Sequence, residues 1–237
     1  MSYPHDAGAA QASPQLKLVI ANKNYSSWSM RAWVLLKAFD IPFQEICIQL
    51  DRTDTSEQIA RYSPAGRVPV LLDEELAIWD SLAICEYLAE RYPAKAMWPQ
   101  DARARAMARS ICCEMHGGFA ALRSSLPMNI RAQFPAREFS AMAQAEIRRI
   151  FTIWESCLAS FGHERFLFGD FSIADAYFAP VVMRFHTYGV ALESPLQAYA
   201  DRVVAHPAVA QWIREAKAET ERIPKYEIAT EQGNPVS

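Results

Sequence analysis

The sequence predicts a small α/β domain of order β-α-β-α-β-β-α followed by a larger all-α domain. Three observations carry that expectation. Short apolar runs alternate with segments of helical spacing over the first hundred residues only. Two prolines, Pro93 and Pro99, then punctuate the chain, and every segment after Asp101 has helix-period apolar spacing. With 8 glycines in 237 residues, well below the usual share of ~7%, the composition also leans away from Gly-rich β architectures.

Taken in order, LKLVIA (16–21) reads as a buried strand. SMRAWVLLKAFD (29–40) reads as a helix with Met30, Trp33, Val34 and Leu36 in helical spacing. PFQEICIQL alternates Phe43, Glu45 and Cys47 against Gln44, Ile46 and Ile48, a strand whose facing stays open. TSEQIARYSP is a short capped helix ended by Pro64. VPVLLDEELAIWD holds two strands joined at Asp73-Glu74-Glu75, a tight hairpin without glycine. SLAICEYLAERYP is a helix facing a core through Leu82, Ile84, Cys85, Tyr87 and Leu88 and stopped at Pro93. After the linker come ARAMARSICCEMHGGFAALRSSL, REFSAMAQAEIRRIFTIWESCLASF, SIADAYFAPVVMRFHTYG, PLQAYADRVVAHP and AVAQWIREAKAET, all helical. The expected boundaries are a disordered tail over 1–15, the α/β domain over 16–93, a linker over 94–102, the helical domain over 103–221 and a mobile polar tail over 222–237. No period of 20 to 50 residues repeats, which argues against a solenoid.

Bulk numbers exclude several classes. Apolar residues make up 51% and charged residues 22%, and a net charge of -3 calls for neither a nucleic-acid nor an anionic-membrane partner. No apolar run approaches the ~20 residues that a membrane span needs. The opening MSYPHDAGAAQASPQ lacks the basic start and apolar stretch of a secretory signal. Five cysteines, Cys47, Cys85, Cys112, Cys113 and Cys157, form no framework spacing, and four sit in apolar surroundings. A reducing, cytoplasmic setting is expected. No metal is expected, because His5, His116, His163, His186 and His206 show no ligand spacing with the cysteines.

The junction of the first strand and first helix carries NYSSWSMR, with hydroxyls at Ser26, Ser27 and Ser29 where a plain helix cap needs one. Two further motifs accompany it, SPAGRVPVLLDEELAIWDSLAICEYLAERYP and GDFSIADAYFAPVV. In this order and spacing the chain resembles the cytosolic glutathione S-transferases, bacterial in type and closest in motif to the zeta class, from about Lys17 to Glu219. The likeness implies a thioredoxin-like N-terminal domain, an all-helical C-terminal domain, a homodimer, and glutathione as co-substrate without a metal. It implies a transferase that activates the glutathione thiol for attack on a small hydrophobic electrophile.

Glutathione is a thiol with two carboxylates and an amine, and its sulfur must ionise to attack. Lowering a thiol pKa by ~2 units takes roughly 2.7 kcal/mol, within reach of one or two hydrogen bonds to the charged sulfur at a helix N-terminus. The resemblance puts the catalytic serine at Ser26, with Ser27 the next candidate and Tyr25 a rival donor better explained by packing. Arg31, one turn on, would add positive potential. Pro69 falls at the family's cis proline, which would expose the Val68 N–H and C=O to the cysteinyl part of glutathione. Ser81 and the α-helix start would take the γ-glutamyl carboxylate, Asp80 the ammonium, and Arg67 the glycyl carboxylate. Met115, His116, Phe119, Arg123 and Arg184 are candidates for the electrophile pocket. Ser172 and Asp175 form a capping pattern whose role is structural.

Two competing readings are weighed on residues. A thiol–disulfide oxidoreductase would want cysteine where SSWS stands. A non-catalytic, transferase-like binding or assembly module remains the alternative. Trp28 occupies the position of the zeta-class cysteine, which counts against isomerisation but leaves thiol activation intact.

Overall fold

In the computed structural model the described residues are 16–134, 138–162 and 165–227, so the expected N-terminal tail lies outside them. Strand β1 (Leu16–Ala21) is the centre of a four-stranded sheet of order β2-β1-β3-β4. It runs parallel to β2 (Phe43–Ile48) and antiparallel to β3 (Val70–Asp73), which pairs with β4 (Leu76–Ile78). Both faces of β1 are covered, which is why its sequence is apolar rather than alternating. Leu16, Leu18 and Ile20 join the main core, while Val19 packs with Ile48, Ile59 and Val70 on the other side. The open facing of β2 resolves as an edge strand: Ile46 and Ile48 lie on the Val19 side, Phe43 on the other. At the hairpin, Glu74 takes the left-handed position (φ 53°) that glycine usually fills.

Helix α1 (Ser27–Ala38) starts two residues before its expected first turn, because Ser26 rather than a later residue caps it. From Met30 to Leu36 no residue of α1 is more than 2% exposed, so the helix is wedged between the sheet and the helical domain. Helix α2 (Thr55–Ala60) covers the Val19 face, and α3 (Ser81–Arg91) packs beside α1.

The helical domain comprises α4 (Ala102–Gly117), α5 (Ala120–Ser125), α6 (Ala141–Cys157), α7 (Ile173–Tyr188), α8 (Leu196–Ala205) and α9 (Pro207–Ala218). The single helix expected over 104–126 breaks in two. A Cβ at Gly118 would sit 2.8 Å from the Glu114 carbonyl oxygen, and Phe119 adopts φ 58°. Central α7 is buried at every residue but His186, as its nearly uniform apolar sequence requires. The cysteines are all free; Cys85, Cys112 and Cys157 are buried, whereas Cys47 and Cys113 are exposed. Three cysteines, one fewer than the four expected, are therefore buried.

Asp175 closes a capping box at the start of α7 by accepting from the Ser172 N–H at 2.9 Å, and does more than cap. Its buried carboxylate also accepts from Ser172 Oγ (2.9 Å), Leu167 N–H (3.1 Å) and Tyr199 Oη (3.2 Å), joining α7 to α8. Burial pushes its pKa up to about 6 against the pull of those donors. Because the folded value lies above the ordinary 3.8, the stability this group contributes falls as pH rises from that value through about 6.

The segment after α9 differs from the mobile tail expected from Arg222. Ile223 is 2% exposed, and Tyr226 lies against the Tyr25 ring at 5.5 Å between centroids. Glu219 accepts from the N–H groups of Lys23 (2.6 Å) and Asn24 (3.0 Å), and Arg131 donates to the carbonyls of Glu219 and Glu221. This strap holds the loop between β1 and α1. Residues 228–237 lie outside the described residues.

Asp175→Ala leaves those donors without an acceptor and is expected to lower the unfolding free energy by about 3–5 kcal/mol in urea titrations. Glu219→Ala should cost about 1–2 kcal/mol and accelerate amide hydrogen exchange at Lys23 and Asn24, while exchange within α7 stays unchanged.

Candidate active site

The serine-rich turn puts its hydroxyls to different uses. Ser26 is the N-cap of α1. Its Oγ accepts from the Ser29 N–H (3.4 Å) and donates to Ser29 Oγ (2.7 Å), which also accepts from the Ala21 N–H (3.1 Å). Both the oxygen and the proton of Ser26 are thus engaged inside the turn. Ser27, the first residue of α1, accepts from Arg184 Nη2 at 3.0 Å. A guanidinium donating to a hydroxyl oxygen polarises its O–H and leaves that proton for another acceptor. Tyr25, the rival donor, gives its proton to Glu227 and accepts from Arg131 (2.9 Å) and the Ile223 N–H (3.2 Å).

Behind the turn lie two buried arginines. Arg184 also donates to the Leu126 carbonyl, and burial together with the charges of Arg31 and Arg123 pushes its pKa down to about 9. Arg31 is 2% exposed, its guanidinium stacked 4.2 Å from the ring centroids of both Trp28 and Tyr177. Its Nε donates to the Tyr177 carbonyl (3.1 Å), its Nη1 has no hydrogen-bond partner, and burial lowers its pKa. Both add positive potential at the tip of α1.

Trp28 is the residue of the turn that reaches the neighbouring cleft, a space of about 460 Å³. Its other walls come from Ala65, Arg67, Val68 and Pro69 before β3, from Trp79, Asp80 and Ser81 before and at the start of α3, and from His116 near the end of α4. The fold therefore gathers all five residues expected to hold glutathione, although they come from two segments separated by a hairpin. The Val68–Pro69 peptide is cis. Asp80 caps α3 by accepting from the Leu82 N–H (3.3 Å), and its side chain is 53% exposed. Ser81 is fully buried, its Oγ hydrogen-bonded to Tyr177 Oη at 2.9 Å.

The five electrophile-pocket candidates do not form one wall. Met115 (1% exposed) and Phe119 (6%) belong to the hydrophobic core, Met115 on the buried stripe of α4 with Ala108, Ile111 and Cys112, and Phe119 just past the break at Gly118. Arg123 donates to the Met115 carbonyl (3.3 Å) and lies over the Trp28 ring, and Arg184 is held between Ser27 and Leu126. Only His116 of the five lines the cleft, where its Nε2 sits 3.0 Å from Asp80 Oδ2 and its Nδ1 2.8 Å from Tyr177 Oη.

Sequence reasoning missed Trp79 and Tyr177. The signal for Tyr177 was modest, a polar-tipped aromatic two residues after the capping Asp175 in SIADAYFAPVV. Among the described residues, no group of three or more His, Cys, Asp and Glu side chains forms a metal site, and no helix is long and apolar enough to cross a membrane.

Residues 25–91 match the glutathione S-transferase N-terminal domain and residues 100–215 the glutathione S-transferase C-terminal domain. A maleylacetoacetate isomerase of Pseudomonas aeruginosa is 31% identical over 212 residues, covering 83% of this chain and 94% of that protein. A maleylacetoacetate isomerase of Rattus norvegicus is 29% identical over 167 residues, covering 70% and 76% respectively. A glutathione transferase homolog from Burkholderia, solved with bound glutathione, superposes with a TM-score of 0.66 at 26% identity, covering 86% of this chain and 98% of that one. A thioredoxin-like sheet domain, a helical domain and a likeness that runs through both place this chain in the glutathione S-transferase family.

Proposed function

We propose that this protein is a glutathione transferase that ionises the glutathione thiol at the tip of α1 and directs it at a small hydrophobic electrophile. The observation that carries the reading is the cleft that unites Arg67, Val68, Pro69, Asp80 and Ser81 beside Trp28. Each matches one part of the tripeptide. The backbone of Val68, just outside the β3 ladder, suits strand-like pairing with the cysteinyl unit. The N-terminus of α3 suits the γ-glutamyl carboxylate, exposed Asp80 the ammonium, and Arg67 the glycyl carboxylate.

Of the two catalytic candidates, Ser27 is the better donor to sulfur. Its oxygen is held by Arg184 and its proton is uncommitted, whereas Ser26 serves as the cap. In the reaction the thiol proton leaves to solvent, the thiolate attacks an electrophilic carbon, and the leaving group departs with its bonding pair. Trp28 and Trp79 add apolar surface to a cleft whose wall is otherwise mixed, and an electrophile would lie against them. Conjugation is favoured over isomerisation, since Trp28 stands where the zeta class carries cysteine. A cytoplasmic homodimer is the working form in this reading.

An ultraviolet difference spectrum of the glutathione complex tests it, through a thiolate band at neutral pH. Ser27→Ala is expected to raise the bound-thiol pKa by about one unit or more and to cut kcat about 100-fold, with Kd for glutathione changed much less. Ser26→Ala should instead cost about 1 kcal/mol of stability as a lost cap. Glutathione bound without any thiolate band would favour a non-catalytic binding module.

A further inference from the structure

Four polar groups form an unbranched chain at one corner of the cleft. Ser81 Oγ lies 2.9 Å from Tyr177 Oη, Tyr177 Oη 2.8 Å from His116 Nδ1, and His116 Nε2 3.0 Å from Asp80 Oδ2. We infer that His116 and Tyr177 are positioning residues that hold Asp80 as the seat of the ligand's ammonium, and that this seat takes an ammonium only while His116 is neutral. The inference rests on the glutathione reading above and adds a proton linkage to it.

With His116 neutral, the proton count along the chain matches the first half of the claim. A neutral imidazole donates from one nitrogen and accepts at the other. Facing a carboxylate, Nε2 must carry the hydrogen, so Nδ1 accepts from the Tyr177 hydroxyl, whose oxygen in turn accepts from Ser81. Each group has one partner per proton, and Asp80 is oriented by a rigid neutral donor while retaining its full negative charge. Tyr177 is fully buried, and burial raises its hydroxyl pKa, so it remains a donor.

Protonating His116 undoes this arrangement. Nδ1 then also carries hydrogen, Tyr177 must rotate its proton toward Ser81, and Asp80 becomes half of an ion pair. A ligand ammonium arriving at Asp80 would meet an imidazolium at the same carboxylate, two like charges competing for one partner. The charged and titratable groups around His116 are Asp80 at the start of α3, Tyr177 of α7, Arg67 in the wall of the same cleft and, across the Trp28 ring, Arg31 of α1 and Arg123 of α5. Asp80 is the sole anion in that set, so a second cation there finds nothing else to neutralise it. Binding an ammonium and binding a proton at this carboxylate are therefore antagonistic: affinity rises with pH and binding releases a proton.

S-methylglutathione isolates the linkage, because it has no thiol to ionise. Calorimetric Kd measured from about pH 5.5 to about pH 8 should fall about fivefold or more, and titrations in buffers of different ionisation enthalpy should show proton release. An analogue without the α-amino group should show neither effect. His116→Gln should bind S-methylglutathione with a flat pH profile. A flat profile in the wild type, a profile of opposite slope, or the same profile with the des-amino analogue or with His116→Gln overturns the inference while leaving the glutathione site standing. If His116→Gln does not fold, the comparison of the two ligands on the wild-type protein decides. Failure of S-methylglutathione to bind at any pH overturns the glutathione reading and this inference together.

Discussion

Two buried guanidinium groups tie the tip of α1 to α7, and the geometry of the cleft depends on that tie. Arg31 spans the interface between Trp28 and the Tyr177 ring and carbonyl, and Arg184 reaches from α7 to Ser27. Burying a guanidinium costs several kcal/mol unless its donors are met, and here neither has a carboxylate among its hydrogen-bond partners. The offset comes from carbonyl oxygens, a hydroxyl and two ring faces. Such contacts are directional and work in one relative placement of the domains. They add direction to an interface that is otherwise apolar, since one hydrophobic core runs through both domains.

The same contacts keep positive charge beside the serine-rich turn. A helix N-terminus and two cations without carboxylate partners make the tip of α1 a place where negative charge is favoured. Asp80, one cleft-width away, supplies negative charge instead, at the start of α3. A ligand carrying an anion at one end and a cation at the other is oriented by that separation before any contact closes. Ligand sites at domain boundaries commonly work this way, with each domain contributing the part that the other lacks. Here the sheet domain supplies most of the cleft wall, and the helical domain contributes His116 directly and Tyr177 from behind.

Much of the fold was legible because its signals are local. The continuous apolar run of β1, the stop at Pro93 and the Ser172–Asp175 spacing each report on neighbours within a few residues, and each is found in place. The glycine-free hairpin was legible too, though not that Glu74 would take the left-handed position. The break between α4 and α5 escaped because helical spacing continues on both sides of it, and only the close approach to the Glu114 carbonyl makes Gly118 necessary. The segment from Arg222 read as a polar tail because its partners, Tyr25 and Arg131, lie far away in sequence.

What the sequence determined by itself is the set of parts: a sheet domain, a helical domain, hydroxyls at one helix start, an acid and a serine at another, and a proline before β3. Periodicity, caps and punctuation encode these because they act over one or two turns of chain. Only the tertiary structure decided which hydroxyl keeps a free proton, that Met115 and Phe119 belong to the core, and that His116 faces Asp80. Those outcomes rest on contacts between residues tens to more than a hundred positions apart, such as Arg184 with Ser27 and Tyr177 with Ser81. Their energies depend on distance and burial in three dimensions, and no pattern along the chain records either.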